Sequence, residues 1–162
     1  MRHLIERVLE LSDEEIVPQL DPQPNGQGTD EELRALLESL QPRIRVYGVG
    51  GAGCNAVGRL DAEGLFENSF VTGYAINTDA QALLMSPLEH KVLIGRTARG
   101  RGAGGDPTKG EAAALESEMA LRGITTDTQL AIIAAGMGGG SGTGAAGHIA
   151  RLAKEQGAMT IA

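Results

Sequence analysis

Leu130-Ala131-Ile132-Ile133-Ala134-Ala135 runs directly into Gly136-Met137-Gly138-Gly139-Gly140-Ser141-Gly142-Thr143-Gly144, and Ala145-Ala146 follows. A short apolar run that ends in glycine predicts a buried strand, Gln129 to Ala135. The spacing after Gly144 predicts a helix through Gln156. The loop between them holds six glycines in nine residues. A turn needs one or two, so this density predicts consecutive backbone N–H groups presented to a ligand. Ser141 and Thr143 add hydroxyls that donate to phosphate oxygens or cap the helix.

The same junction recurs upstream. Ile44, Val46 and Val49 predict a strand that enters Gly48-Val49-Gly50-Gly51-Ala52-Gly53-Cys54-Asn55, with a helix from Asn55 to Glu63. This loop matches the dinucleotide fingerprint G-x-G-x-x-G. A second strand, Phe70 to Ile76, ends at Asn77-Thr78-Asp79, where Asp79 occupies the place of a ribose-binding acid. A short helix from Ala80 to Met85 and a strand from Lys91 to Ile94 come next. A third loop follows, with Gly100, Gly102, Gly104, Gly105 and Asp106, and then a helix from Pro107 to Arg122. Ala158 to Ala162 opens a fifth strand. Strands alternating with helices imply right-handed βαβ units and a parallel sheet covered on both faces. Three glycine loops on the carboxyl edge of such a sheet form a cradle for an anion with several phosphates. Five basic residues against one acid between Lys91 and Lys109 suit that anion. Asp79 and Asp106 either orient a hydrated Mg²⁺ or cap helices.

Composition narrows the function. The chain has 162 residues and a net charge of −7. Residues 1–40 carry three Lys/Arg and ten Asp/Glu, and the remainder balances at eleven of each. An acidic extension over 1–42 therefore precedes a neutral α/β domain over 43–162. Neither a basic surface nor an aromatic platform is present, which argues against nucleic acid. One cysteine and three scattered histidines assemble no metal cluster. Absence of a long apolar run argues for a cytoplasmic chain without direct membrane insertion. In the extension, Leu4, Ile5, Val8 and Leu9 suggest one amphipathic helix, and Pro18 to Gly28 a linker. Thr29 with Glu32 forms a capping box before Leu33, Leu36, Leu37 and Leu40. No G-x-x-x-x-G-K-[ST] occurs, and Ser141 has no histidine placed to make it a nucleophile.

GVGGAGCNAV, AINTDAQALLM, RGRGAGGDP and AAGMGGGSGTGAA, in this order, resemble the FtsZ family of prokaryotic tubulin-like cell-division GTPases. The last is similar to the family signature G-G-G-T-G-[ST]-G, with Ser141 for the usual Thr. Arg101 stands at a usually apolar position, and Gly147 where proline commonly follows G-A-A. The resemblance spans Ile44 to Ala162 and implies a Rossmann-like GTPase sheet ending after its fifth strand, behind an N-terminal helical extension. It implies GTP or GDP, with Mg²⁺ held mainly by the phosphates. Nucleotide contacts are implied at Gly50, Gly51, Ala52, Gly53, Cys54, Asn55, Asp79, Gly104, Gly105, Asp106, Gly138, Gly139, Gly140, Ser141, Gly142, Thr143 and Gly144. Guanine-reading residues and the loop that activates water on the next subunit are expected outside these residues, so no catalytic residue is assigned and the chain alone is expected to be inactive. The implied partners are further copies stacked head to tail, with division-ring and membrane-tethering proteins at mid-cell. An NAD(P)-binding Rossmann domain, and a non-hydrolysing paralogue or filament cap, are the alternatives.

Overall fold

A computed structural model describes residues 29–67 and 69–162. The amphipathic helix expected near Leu4 and the linker at Pro18 to Gly28 lie outside them. Residues 41–162 form one unit, and the described part of the other is α1 (Asp30–Ser39) with its cap. The capping box is reciprocal. Thr29 N–H donates to Glu32 Oε2 at 2.8 Å, and Glu32 N–H donates to Thr29 Oγ1 at 3.3 Å. Three acidic residues in the first turn complement the helix dipole.

The second unit follows a βα alternation: β1 (Ile44–Val49), α2 (Gly50–Ala62), β2 (Val71–Asn77), α3 (Ala80–Met85), β3 (His90–Leu93), α4 (Pro107–Glu116), α5 (Glu118–Thr125), β4 (Leu130–Ala135), α6 (Gly140–Glu155) and β5 (Met159–Ile161). All strand pairs are parallel, in the order β3-β2-β1-β4-β5. Side-chain alternation feeds two cores. Tyr47, Val49, Ala131 and Ile133 pack with Leu121, Ala145, Ile149 and Leu152 on the face covered by α4, α5 and α6. Val46, Val71 and Ala75 pack with Cys54, Val57 and Leu83 on the face covered by α2 and α3. Fully buried residues such as Ile149 and Leu152 each contribute about 1.5–3 kcal/mol. At the amino edge, the Tyr47 hydroxyl donates to Ile124 O at 2.9 Å and ties β1 to α5.

Two local expectations are corrected. The helix expected from Pro107 to Arg122 is two helices, broken at Ser117. There the Ser117 hydroxyl accepts from Gly95 N–H at 2.9 Å, and the backbone leaves the helical region at ψ 17°. The helix expected from Asn55 begins at Gly50, directly at the end of β1. Five residues read as loop are therefore helical, and α6 likewise takes in Gly140 to Gly144.

Candidate functional site

Strand order reverses between β1 and β4, the place where an open α/β sheet leaves a crevice at its carboxyl edge. Register makes that edge level. Val49 is paired with Ile76 on one side and with Ala135 on the other. The chain thus leaves the sheet side by side at Gly50, Asn77 and Gly136. Helix α2 starts at once, because Gly50 takes a φ of 71° that turns the backbone straight into the helix. A Cβ on Gly50 would lie 2.7 Å from Gly142 N, so the first turns of α2 and α6 touch backbone to backbone. Neither helix has a side-chain cap. The early N–H groups of both, Gly50, Gly51 and Ala52 with Gly140, Ser141 and Gly142, have no acceptor in their own helix. Two positive dipole ends thus converge on one spot.

The glycines divide by physical role. In the Gly136–Gly144 run, a Cβ on Gly136 would lie 2.7 Å from Ala52 Cβ, one on Gly140 2.8 Å from Asp106 N, and one on Gly142 2.8 Å from Gly136 O. One on Gly144 would run into Pro107 O. Those four glycines allow close packing. Gly138 and Gly139 face open space, as do Gly51, Gly104 and Gly105. Four of these six glycines thus stand where a side chain would meet neighbouring atoms, and two have open space at the Cβ position.

The Asn77-Thr78-Asp79 stretch sets the second wall. Asp79 Oδ1 accepts from Gln81 N and Ala82 N at 2.9 and 3.1 Å, capping α3. Asp106 Oδ1 accepts from Thr108 N at 2.9 Å, capping α4. Both acids act as caps, and each keeps its second oxygen free of hydrogen bonds to described residues. Thr78 is fully buried, and its hydroxyl shares a 2.6 Å hydrogen bond with the buried Ser141 hydroxyl. This latch joins the end of β2 to the first turn of α6, so Ser141 holds the edge together with its side chain. Thr78 is not among the contacts expected from the sequence. The signal available was a hydroxyl between Asn77 and an N-cap acid, at the end of a strand that faces Ser141.

The third loop docks on this wall. Asp79 and Arg101 form an isolated antiparallel bridge, with Ala80 N donating to Gly100 O and Gly102 N to Thr78 O. Beyond it, Gly104 and Gly105 have left-handed φ values of 60° and 78° with nothing near them. Arg96, Arg99, Arg101 and Lys109 are exposed and make no ion pair with described residues. Cys54 turns its thiol into the core toward Gly48 O and Ile76 O, and burial pushes its pKa up. Gly53, Cys54 and Asn55 sit one turn inside α2, further from the edge than Gly50 to Ala52. Thr143 lines a groove between α4 and α6.

Residues 43–162 match the Tubulin/FtsZ family, GTPase domain. The chain belongs to this family. It is 45% identical over 163 residues to Cell division protein FtsZ 1 of Pyrococcus abyssi, an alignment covering 99% of this chain and 43% of that one. With FtsZ 1 of Halobacterium salinarum it shares 44% over 143 residues, 88% of this chain and 35% of that protein. Among solved structures, an empty FtsZ dimer of M. jannaschii superposes with a TM-score of 0.71 at 42% identity, covering 80% of this chain and 37% of that one. A GTPγS-bound CetZ2 protofilament of Haloferax volcanii superposes at 0.60 and 32%, covering 73% and 38%. The chain thus spans less than half the length of these Tubulin/FtsZ relatives. Its five-stranded parallel sheet has the tubulin-like fold of these FtsZ neighbours. Membership in this family, with Asp79 acting as a cap, leaves the NAD(P) alternative without support.

Proposed function

We propose that residues 43–162 are the phosphate-binding half of a GTP site in a filament-forming cell-division protein. The observation that carries this is the backbone contact of α2 and α6 at the β1/β4 crevice, where two uncapped helix starts meet beneath open glycines. The N–H groups of Gly50 to Ala52 and Gly140 to Gly142 bind the phosphates. Gly104, Gly105, Gly138 and Gly139 leave room for backbone approach. Exposed cations of the third loop add attraction. Mg²⁺ is held mainly by the phosphates, and the free carboxylate oxygens of Asp79 and Asp106 suit its bound waters. Stacking on a second copy, GTP hydrolysis between copies and location at the division site are inferred from likeness to the family. This reading rests there on FtsZ relatives and on neighbours solved as a dimer and a protofilament.

Calorimetric titration of the 162-residue chain with GTP, GDP and NAD, each with Mg²⁺, tests the site. GTP and GDP are expected to bind weakly and NAD not at all. Tighter binding of NAD than of GTP would overturn the reading.

A further inference from the structure

The latch between Thr78 and Ser141 leaves one proton over. Each hydroxyl has a single proton to donate and lone pairs to accept with. The two oxygens lie 2.6 Å apart, so one of the protons is shared between them. Among the described residues, neither oxygen has a second hydrogen bond. The other proton therefore has no acceptor there. Burial decides whose proton it is. Thr78 is fully buried, whereas Ser141 keeps 8% of its surface. If Ser141 donated, the Thr78 proton would be left in packed interior without an acceptor, which is the costly arrangement. If Thr78 donates, its proton is satisfied and the spare one belongs to Ser141.

Two further features fix this order. Ser141 is the second residue of α6, and helical side chains lean toward the helix N-terminus. Its hydroxyl thus lies at the crevice end of α6, among the uncapped N–H groups of the first turn. Thr78 is held from two sides. Its carbonyl accepts from Gly102 N at 3.1 Å. Its methyl faces Gly95, where a Cβ would stand 3.9 Å away. A β-branched side chain has few χ1 choices, so a methyl turned to Gly95 keeps the hydroxyl on Ser141.

We propose that Thr78 is a positioning residue of the nucleotide site: it donates to Ser141 Oγ and so directs the Ser141 proton to a phosphate oxygen. A hydroxyl that has accepted one hydrogen bond is polarised and donates the more strongly. Thr78 acts without touching the ligand. The inference rests on the nucleotide reading and adds to it the residue behind Ser141.

The 162-residue chain is titrated with GDP and Mg²⁺ by calorimetry, beside Thr78→Val, Thr78→Ser, Ser141→Ala and the Thr78→Val/Ser141→Ala double variant. Urea melts show which variants are folded. Ser141→Ala should weaken GDP binding by about tenfold or more, the loss of a hydrogen bond to a charged group. Thr78→Val should weaken it by about threefold or more when Ser141 is present, and by no more than about twofold in the Ser141→Ala background. Thr78→Ser returns the hydroxyl without the methyl and should restore affinity, which a packing role of Thr78 would not do. Equal affinity of the unaltered chain and Thr78→Val overturns the proposal, and so does an equal loss in both backgrounds. Absence of GDP binding by the unaltered chain overturns the nucleotide reading itself, and the role of Thr78 with it. Hydroxyl proton spectra of the unaltered chain decide the matter even if Thr78→Val does not fold. The Thr78 hydroxyl proton should be resolved without nucleotide, and the Ser141 one only once GDP is bound. Any other pattern, including signals that GDP leaves unchanged, overturns the assigned donor order.

Discussion

Glycine does two different jobs at the two sides of the crevice. At the α2/α6 side, Gly140, Gly142 and Gly144 have ordinary helical backbone, and what they supply is the absence of a side chain. Backbones meet there at distances that no Cβ permits. In the third loop, Gly100, Gly102, Gly104 and Gly105 all have positive φ, and at Gly104 and Gly105, where a Cβ would meet nothing, what they supply is conformation alone. The first kind makes a rigid floor with fixed N–H directions, and the second a wall anchored at Thr78 and Arg101 and open at Gly104 and Gly105. Backbone packed close on one side and open left-handed glycines on the other leave room between them for the proposed phosphates.

The largest expected effect tests the floor. Gly144→Val drives a side chain into Pro107 O and the α4 backbone, and Gly140→Val drives one into Asp106 N. Both should lose about 3 kcal/mol or more, seen as a collapse of the urea midpoint. Gly138→Val enters open space, so it should keep the midpoint and weaken GTP binding instead. A Gly140→Val protein with unchanged midpoint and lost binding would show that Gly140 faces the ligand, and the division between the two kinds of glycine would fail.

That division was the part hidden from sequence. The alternation of β-branched strands with helical spacing made the sheet legible, with strand ends within one residue, and the three glycine loops fell on one edge as expected. Composition does not say whether a glycine avoids a clash or adopts a left-handed φ, because both leave the same letter. Ser117 was invisible for a related reason. The helical pattern runs through it, and only the Gly95 N–H, distant in sequence, draws its hydroxyl into a break. Thr78 and Ser141 were 63 residues apart, and a latch between them depends on the register of β2 against β1 and β4.

The latch gives the next effect in size. Ser141→Ala leaves the Thr78 hydroxyl buried without a partner, which costs about 1–3 kcal/mol. Thr78→Val does the converse. Because the two share one bond, the double variant should lose clearly less than the sum of the singles, as read from urea melts in a double-mutant cycle. Strict additivity would mean that the two hydroxyls act separately, with Ser141 free to serve the ligand.

Gly104→Ala and Gly105→Ala probe the wall. Their Cβ atoms meet nothing within 4 Å, so the cost is confined to backbone conformation, about 1–2 kcal/mol each. Nucleotide titration should weaken for both, since the open space they face is the proposed ligand space. A stability loss as large as that of Gly144→Val would place these glycines in the packed class and erase the contrast.

The smallest effect is a pH dependence away from the crevice. His148 is buried on α6. Its surroundings are Arg151 and Glu155 from its own helix, Glu118 and Arg122 from α5, and the groove wall with Glu111 from α4. Burial first, and then the Arg151 charge, hold its pKa below the ordinary value of 6.5, against a weaker pull from Glu118. A base whose folded pKa is depressed binds fewer protons when folded than when unfolded. Its contribution is therefore intact above the unfolded value and is lost as pH falls through 6.5 toward the folded value. Arg151 Nη2 donates to His148 Nδ1 at 2.9 Å. Protonation would set Nδ1–H against Arg151, so the Arg151–His148 bond breaks in the same window. Glu155, held below its ordinary 4.5 by hydrogen bonds from Arg151 and Arg122, contributes its own loss only at more acid pH. Urea melts compared at about pH 8 and about pH 5 should thus show the His148 step without the Glu155 one. His148→Phe should flatten the difference, whereas an equal drop in that variant would assign the step to another group.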